Sequence, residues 1–591
     1  MDPQTKEHIW HLDAYLTSLS VHNSAWMSSV KTATPDSPQD GNNFLTQLQQ
    51  HHPQIISDEI KQDDSSEFSP PIRITWTPEE GRYLVASRDL TAGEVLFWEP
   101  PLILAPKSGV GPTCLNCLRS LPDDFIGCDG CGAPLCVPHC DGNGHTAREC
   151  KAFNSRIKEP SQESQSQLEK GNIIEDTSCG TDIESDEYKE NLLKKVKLLN
   201  CLMTPLRTLL LMQESSSASN VIAAMQSNAV QRSKLPIGKF LEIQLLNPLR
   251  NCLDVQISGP VLQHMCGIWD TNAFEMRLAN GGVGRGLLPI AALMNHSCVP
   301  NTQHWTHNGG IMVIASTDIP EGTLLSNNYV NTFLGNIPRQ THLLTTKLFV
   351  CRCPRCSDPS ELGSHASDIV CQECKTGLLQ PPEESERIWK CNSCTENLPH
   401  ERVRMMVQMA GKMITTSHNL NLQDKRKMLT KIHNILGKQH YLSKELQFIV
   451  LGDILQQPIQ DVNLQDLKSA LGIIKDLIKY IGHVEPGYTK FKGLFLLRHI
   501  QITAELLVRC HKDNRTLTSV LSEDDDDVGF ALSKEDINKI ILQDIKALSP
   551  LVSECGLILQ YDDDAPNQEL REATHKLQEL QTQLASLGDQ L

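Results

Sequence analysis

Apolar and polar positions alternate in IRITWTPEEGRYLVASRDLTAGEVLFWEPPLILAP, a stretch that begins at Ile72. A period of two turns one face of a strand toward a core and the other toward water. Turn residues at EEG and TAG divide the stretch, so it predicts two or three short strands. Between about residues 190 and 248 the spacing becomes helical, as in NLLKKVKLLNCLMTPLRTLLLM. Short elements return from about 264 to 330, where THNGGIMVIA sets Asn308 and Gly309 between two strand-like runs, a hairpin signal. From about residue 400 the pattern is helical to the end, with amphipathic segments near 401–415, 423–437, 441–456, 464–482, 490–511, 534–549 and 567–587. These read as antiparallel helix pairs of the kind that often build a curved, solenoid-like surface, without a strict internal repeat.

The segments between these blocks are polar. Residues 1–70 are rich in Gln, His, Ser, Asp and Pro and read as disordered, with a short helix near Ile9 to Leu19. Residues 155–190 read as a Ser-, Gln- and Glu-rich loop, and SEDDDD (522–527) and YDDDAP (561–566) as exposed acidic loops. A length of 591 residues implies several domains. A formal charge of −17 argues against a general phosphate-binding surface, and Lys and Arg form no clear nucleic-acid footprint; the charge is compatible with a basic protein or peptide partner. No window approaches 18 uncharged apolar residues, so no membrane span is expected. MDPQTKEHIWHLDAYL lacks the form of a signal peptide, and the expected location is cytoplasm and nucleus.

Twenty-one cysteines in a reducing compartment point to metal rather than disulfides, and they cluster. The first cluster runs Cys114, Cys117, Cys128, Cys131, Cys136, Cys140, His145 and Cys150, eight donors within 37 residues, enough for two tetrahedral zinc sites. So short a polar segment has almost no core, so bound metal must supply its folding energy. Spacing alone does not say which ligand goes with which ion. His139 is an alternative ligand to His145. The second cluster, Cys351, Cys353 and Cys356, needs a fourth ligand, and Cys298 is the candidate. The third, Cys371, Cys374, Cys391 and Cys394, has the two CxxC pairs of a zinc ribbon. Cys179, Cys201, Cys252, Cys266, Cys510 and Cys555 are scattered and read mostly as small buried hydrophobes.

Cys298 lies in MNHSCVPN, residues 294–301. Locally this stretch can be a nucleophile pair of Cys298 and His296, a metal site, or a pocket wall. No oxyanion donor or third triad partner is evident for the first of these.

Read in order, GRYLVASRDLTAGE, the first cysteine cluster, a helical insert, GLLPIAALMNHSCVPN, Tyr329 and CRCPRC resemble the SET and MYND domain (SMYD) lysine methyltransferase family. The motifs cover about residues 72 to 356, and SDPSELG, the CxxC ribbon and IWDTNAFEM are most similar to the arthropod SmydA branch. The resemblance implies an α+β fold. A SET β-fold would occupy 71–113 and 276–350, with a MYND zinc finger at 114–150, an acidic linker at 151–190 and a helical insert at 191–275. Post-SET and ribbon zinc sites would follow at 351–395, then an all-α, TPR-like domain at 396–591.

The resemblance also implies functional residues. In the finger, Cys114, Cys117, Cys136 and Cys140 would hold one zinc and Cys128, Cys131, His145 and Cys150 another, for about four ions per chain. Gly81, Arg82, Tyr83, Asn272, Asn295, His296, Tyr329 and Phe349 match positions that contact S-adenosylmethionine, with Tyr329 as the catalytic residue. MNHSCVPN would thread beneath the chain that carries Tyr329. Implied partners are a protein bearing a target lysine and a proline-rich peptide at the MYND finger. The chain departs from the family pattern at four places. Gly322-Thr323-Leu324 replaces Gly-Glu-Glu, Lys347 replaces a second channel tyrosine, Tyr83 replaces a glycine, and Leu288 replaces an aromatic residue. An inward ammonium at Lys347 would repel a substrate lysine. The family therefore suggests two functions: a histone or non-histone methyltransferase in transcriptional regulation, or a catalytically weak adaptor for co-repressor-type proteins.

Overall fold

The computed structural model describes residues 70–588 apart from 79, 108–110, 123–125, 137–139, 141–143, 155–185, 242–244, 247–248, 250–256, 382–387, 522–532 and 561–565. The expected N-terminal disorder and the helix near Ile9 to Leu19 lie outside the described residues. So do most of 155–190, most of both acidic loops, Cys179, Cys252 and His139.

The alternating stretch forms four strands, β1 (Ile72–Thr77), β2 (Gly81–Ala86), β3 (Val95–Glu99) and β4 (Ile103–Pro106), rather than two or three. The extra break falls at Pro100-Pro101, because prolines lack the amides a ladder needs. β1 and β2 form an antiparallel hairpin. In the first zinc-ligand cluster, the two-residue strands β5 (Ile126–Gly127) and β6 (Pro134–Leu135) pair, and α1 (Ala147–Asn154) carries Cys150.

The insert is helical as its periodicity requires. It comprises α2 (Asp186–Glu214), α3 (Ser216–Ala223), α4 (Ala229–Ser233), α5 (Pro236–Leu241) and α6 (Gly259–Asn272). Ser215 and Ser258 cap α3 and α6 by accepting amides of the first turn. The chain returns to strand at Ala273, three residues before the expected boundary, in β7 (Ala273–Arg277) and β8 (Val283–Leu287), which build the sheet β4-β8-β7.

After a single 3-10 turn at Ala291–Leu293 comes the two-residue strand β9 (Asn295–His296). β10 (Thr302–His307) and β11 (Gly310–Ala315) form the expected hairpin, with Asn308 and Gly309 both at positive φ, 49° and 74°. β11 also pairs with β3. β12 (Ser326–Asn327) leads to Tyr329, then α7 (Asn336–Thr346) and α8 (Pro354–Ser357).

The ribbon is a four-stranded sheet of β13 (Ile369–Val370), β14 (Leu378–Gln380), β15 (Ile388–Cys391) and β16 (Asn397–Pro399) in that order. The rest is helical: α9 (His400–Ser417), α10 (Leu422–Leu436), α11 (Tyr441–Ile454), α12 (Leu464–Val484), α13 (Lys490–Asp513), α14 (Leu517–Leu521), α15 (Lys534–Leu559) and α16 (Pro566–Gly588). Asn421, Asn463, Thr489 and Ser533 cap four of these helices. α15 continues ten residues past its expected end, through Pro550.

One core joins the SET strands, among them Leu84, Phe97, Leu288, Met294 and Val313. A second joins α11–α16 to Trp305, Met312 and Ile314 of the β10–β11 hairpin, so the helical region is packed onto the strands. Gly487 marks that seam. Its φ is +85°, and a Cβ there would lie 1.8 Å from the Ser316 carbonyl, so only glycine fits. Among the described residues, no helix is long and apolar enough to cross a membrane.

Candidate active site and metal centres

MNHSCVPN is joined to the segment before Tyr329 by a short parallel ladder, Asn295 beside Ser326 and His296 beside Asn327. Asn301 locks this pairing: its Nδ2 donates to the Leu324 carbonyl and its Oδ1 accepts the Ser326 amide, both at 2.8 Å. An asparagine serves because its amide offers donor and acceptor together. Upstream, the buried carboxyl of Glu99 accepts the amides of Ile290 and Ala291, fixing the 3-10 turn that leads into the motif. Burial pushes the Glu99 pKa up to about 8 against the pull of those two amides.

Tyr329 is therefore placed by its backbone. Its amide donates to His296 Nδ1 at 3.0 Å, and its hydroxyl donates to the Met294 carbonyl at 2.5 Å. The His296 ring packs against both Tyr329 and Phe349, with centroids 5.2 and 5.9 Å away. Burial holds the imidazole neutral, with a pKa near 4. Since Nδ1 accepts, Nε2 carries the proton and faces Cys298 Sγ at 3.2 Å. The β1–β2 turn joins the same place, because Asn295 Nδ2 donates to Glu80 Oε2 at 2.6 Å, next to Gly81.

Asn295, His296, Tyr329, Phe349 and the Gly81 turn thus converge. Two other expected cofactor residues have donors committed to the helical insert: Arg82 bonds the Ala224 carbonyl, and Asn272 Nδ2 donates to the carbonyls of Gln226 and Ile268. Tyr83 sits in the β1–β2 ladder opposite Thr75.

Lys347 points inward. Its Nζ donates to the carbonyls of Asp270 and Thr271 at 2.7 and 2.8 Å, at the C-terminal end of α6. It also lies 5.4 Å from the centre of the Tyr329 ring. Leu348, between Lys347 and Phe349, is buried at φ 63°, a conformation strained for leucine that shapes the turn between them.

All sixteen expected metal ligands fall into four compact groups: Cys114/Cys117/Cys136/Cys140, Cys128/Cys131/His145/Cys150, Cys298/Cys351/Cys353/Cys356 and Cys371/Cys374/Cys391/Cys394. The finger therefore uses the interleaved pairing, and His145 sits with its three cysteines. A zinc–sulfur bond of about 2.3 Å gives a tetrahedron with edges of roughly 3.8 Å. Sulfur–sulfur distances of 3.9 and 3.7 Å in the first group, 3.9 Å in the second, 3.5 Å in the third and 3.7 and 3.8 Å in the fourth fit that edge. The neighbouring sulfurs, Cys351 first, push the Cys298 thiol far up, and a divalent cation reverses that repulsion. Zinc therefore fits all four groups.

The surroundings of the ligands were not visible in the sequence. His145 Nδ1 lies 3.3 Å from Glu149, whose other oxygen accepts Arg207 Nε at 2.6 Å. Arg207 also reaches the carbonyls of Leu104, Leu115 and Gly144, tying the finger to α2 and β4. At the third group, the buried Arg339 sets Nε 3.2 Å from Cys298 Sγ and one terminal nitrogen 3.5 Å from Cys356 Sγ. Its other terminal nitrogen donates to the Leu334 carbonyl and to Glu361, both at 2.6 Å. Glu361 also accepts Arg355 Nε, and Arg355 holds the carbonyls of Thr332 and Leu334. A buried Arg–Glu–Arg triad thus links the third group to the loop after Tyr329. Arginine and glutamate at helical or loop positions read as surface residues in sequence, so no local signal could have found the triad.

Comparison with known proteins agrees with this arrangement. Residues 81–330 match the SET domain family. The Drosophila melanogaster "SET domain-containing protein SmydA-8, isoform A" is 30% identical over 352 residues, spanning 58% of this chain and 68% of that protein. "Histone-lysine N-methyltransferase ASHR2" of Arabidopsis thaliana is 26% identical over 311 residues, 48% of this chain and 71% of that protein. "Protein-lysine N-methyltransferase SMYD4" of Mus musculus is 26% identical over 187 residues, 28% of this chain and 22% of that protein. With its SET fold, its interleaved cysteine finger and this degree of likeness to SmydA-8, the chain belongs to the SET and MYND domain (SMYD) family, in the SmydA branch.

Proposed function

We propose that the chain is a protein-lysine N-methyltransferase that uses S-adenosylmethionine. The observation that carries the reading is the convergence of Asn295, His296, Tyr329 and Phe349 around one point, with the Tyr329 hydroxyl locked on the Met294 carbonyl. Relatives that bear the names histone-lysine and protein-lysine N-methyltransferase support it.

S-adenosylmethionine supplies a methyl group on a sulfonium. The protein's own work is alignment, exclusion of water and retention of the acceptor amine in its neutral form. Asn295 and His296 would wall the cofactor, with Phe349 packed against the imidazole. The Tyr329 hydroxyl is committed as a donor to Met294, and burial raises its pKa, so it would stand at the channel neck as a fixed neutral dipole rather than as a base. The zinc groups would be structural, since each is closed by four protein ligands.

A second reading, a non-catalytic adaptor, draws on one observation, the inward Lys347. In that case the finger would take proline-rich co-repressor peptides and the helical region would bind proteins. A role in transcriptional regulation, in nucleus and cytoplasm, belongs to either reading. Calorimetry with S-adenosylmethionine tests the first: binding supports it, and no binding sinks it.

A further inference from the structure

The C-terminal end of α6 gathers an unusual amount of positive charge. Asp270 receives Arg232 from α4 and Arg285 from β8 on its carboxylate, while Lys347 takes the carbonyls of Asp270 and Thr271. Three cations thus surround one carboxylate and one helix end. Helix carbonyls at that end carry partial negative charge and accept cations readily. Those carbonyls hold the Lys347 ammonium by two hydrogen bonds, 5.4 Å from the centre of the Tyr329 ring.

We propose that Lys347 is a specificity-determining residue, an ammonium fixed beside Tyr329 that selects against positive charge at the methyl-acceptor end of the site. The proposal rests on reading Tyr329 as the residue beside the transferring methyl. In that transfer the nitrogen lone pair of a neutral amine forms the N–CH3 bond, and the S–CH3 bond breaks with its electron pair returning to sulfur. The sulfonium becomes a neutral thioether, positive charge moves to nitrogen, and a proton then leaves to water. Lys347 opposes charge at both ends of that path. A mono- or dimethylated product can shed its charge with a proton; a trimethylated product cannot. Lys347 therefore disfavours trimethyllysine, whose charge is permanent, relative to the mono- and dimethylated products.

The groups facing Lys347 set how its charge responds to pH. They are Asp270 on α6, Arg232 on α4, Arg285 on β8, His342 on α7 and the Tyr329 ring. Burial is the main influence; Asp270 raises the pKa in part, Arg285 and Arg232 lower it further, and Lys347 loses its proton near pH 8, well below an ordinary lysine. Repulsion is thus present at neutral pH and fades in mild alkali.

The test needs no turnover. S-adenosylmethionine and S-adenosylhomocysteine differ at one place, a methyl sulfonium against a neutral thioether, so the ratio of their dissociation constants reads the local field. Calorimetry between pH 6.5 and 9.5 is expected to show the sulfonium gaining roughly fivefold on the thioether in the wild type. Lys347→Gln keeps an amide donor for the helix carbonyls and should show the gain at every pH. Lys347→Arg keeps the charge and should hold the neutral-pH ratio through pH 9.5. If both ligands bind with a ratio that neither pH nor Lys347→Gln moves, the inference is wrong while the methyltransferase reading stands. If neither ligand binds, both fall.

Discussion

His296 Nε2 lies 3.2 Å from Cys298 Sγ, and through its other nitrogen the same ring holds the amide of Tyr329. One imidazole therefore ties a metal ligand to the proposed catalytic residue. A ring nitrogen that orients a ligand from outside the coordination shell is a common partner of metal sites. Replacing His296 with Ala leaves the Tyr329 amide and the Cys298 sulfur without their partner, at a cost of about 1–3 kcal/mol for the unpaired donor. The melting temperature of the zinc-loaded protein should fall by several degrees; an unchanged value would mean the ring is only a cofactor wall.

Metal content is the broadest check on the cysteine assignments. Elemental analysis of the purified protein should find four zinc ions per chain, one for each four-ligand group. Two or fewer would break the grouping. Removing the metal with a chelator should unfold the finger first, since its small cluster of Cys114, Cys117, Leu121 and Leu135 is little core without the ions.

Arg339 is buried against two sulfurs and Glu361. Replacing it with Met removes one side of a buried ion pair and should destabilise the fold by about 3–5 kcal/mol. The same change should speed zinc loss from the third group to a chelator by roughly 10- to 100-fold, with Arg339→Lys in between. Denaturant unfolding and a colorimetric zinc-release assay measure the two effects. Equal release rates in the wild type and both variants would show that the guanidinium does not act on the thiolates.

Glu99 gives the fold a pH dependence of definite sign. Its folded pKa, about 8, lies above the ordinary value of 4.5, so between those limits the folded state keeps a proton that the unfolded chain has lost. Stability from this group is therefore full at the acidic end of that window and declines as pH rises toward 8. Glu99→Gln should flatten that decline in urea unfolding curves between pH 5 and 8. A parallel decline in the variant would assign it to other groups.

The legible part of this molecule was carried by short-range patterns. CxxC spacings, the Asn308-Gly309 turn and the amphipathic segments past residue 400 each state their structure locally, and the structure has them there, α15 running longer than its pattern. The interleaving of the finger ligands came only from family resemblance, because spacing does not choose among partners, whereas the tie between Cys298 and a motif 53 residues downstream follows from three thiolates that need a fourth ligand. What stayed hidden depends on long-range burial. Arg339, Arg355, Glu361, Arg207 and Glu99 look like surface residues until the chain closes over them. The fourth strand was missed because a Pro-Pro break inside one apolar run reads equally well as a strand end. The direction of Lys347 was undecidable in sequence, since it depends on α6 ending beside Tyr329.

The central claim is that Tyr329 stands beside a methyl group delivered by S-adenosylmethionine. Calorimetric binding of the cofactor to the wild type and to Tyr329→Phe, followed by transfer of labelled methyl to a protein array, tests it most directly. The account predicts that both proteins bind the cofactor and that only the wild type labels lysines. Absence of binding in the wild type, or undiminished labelling by Tyr329→Phe, would contradict it.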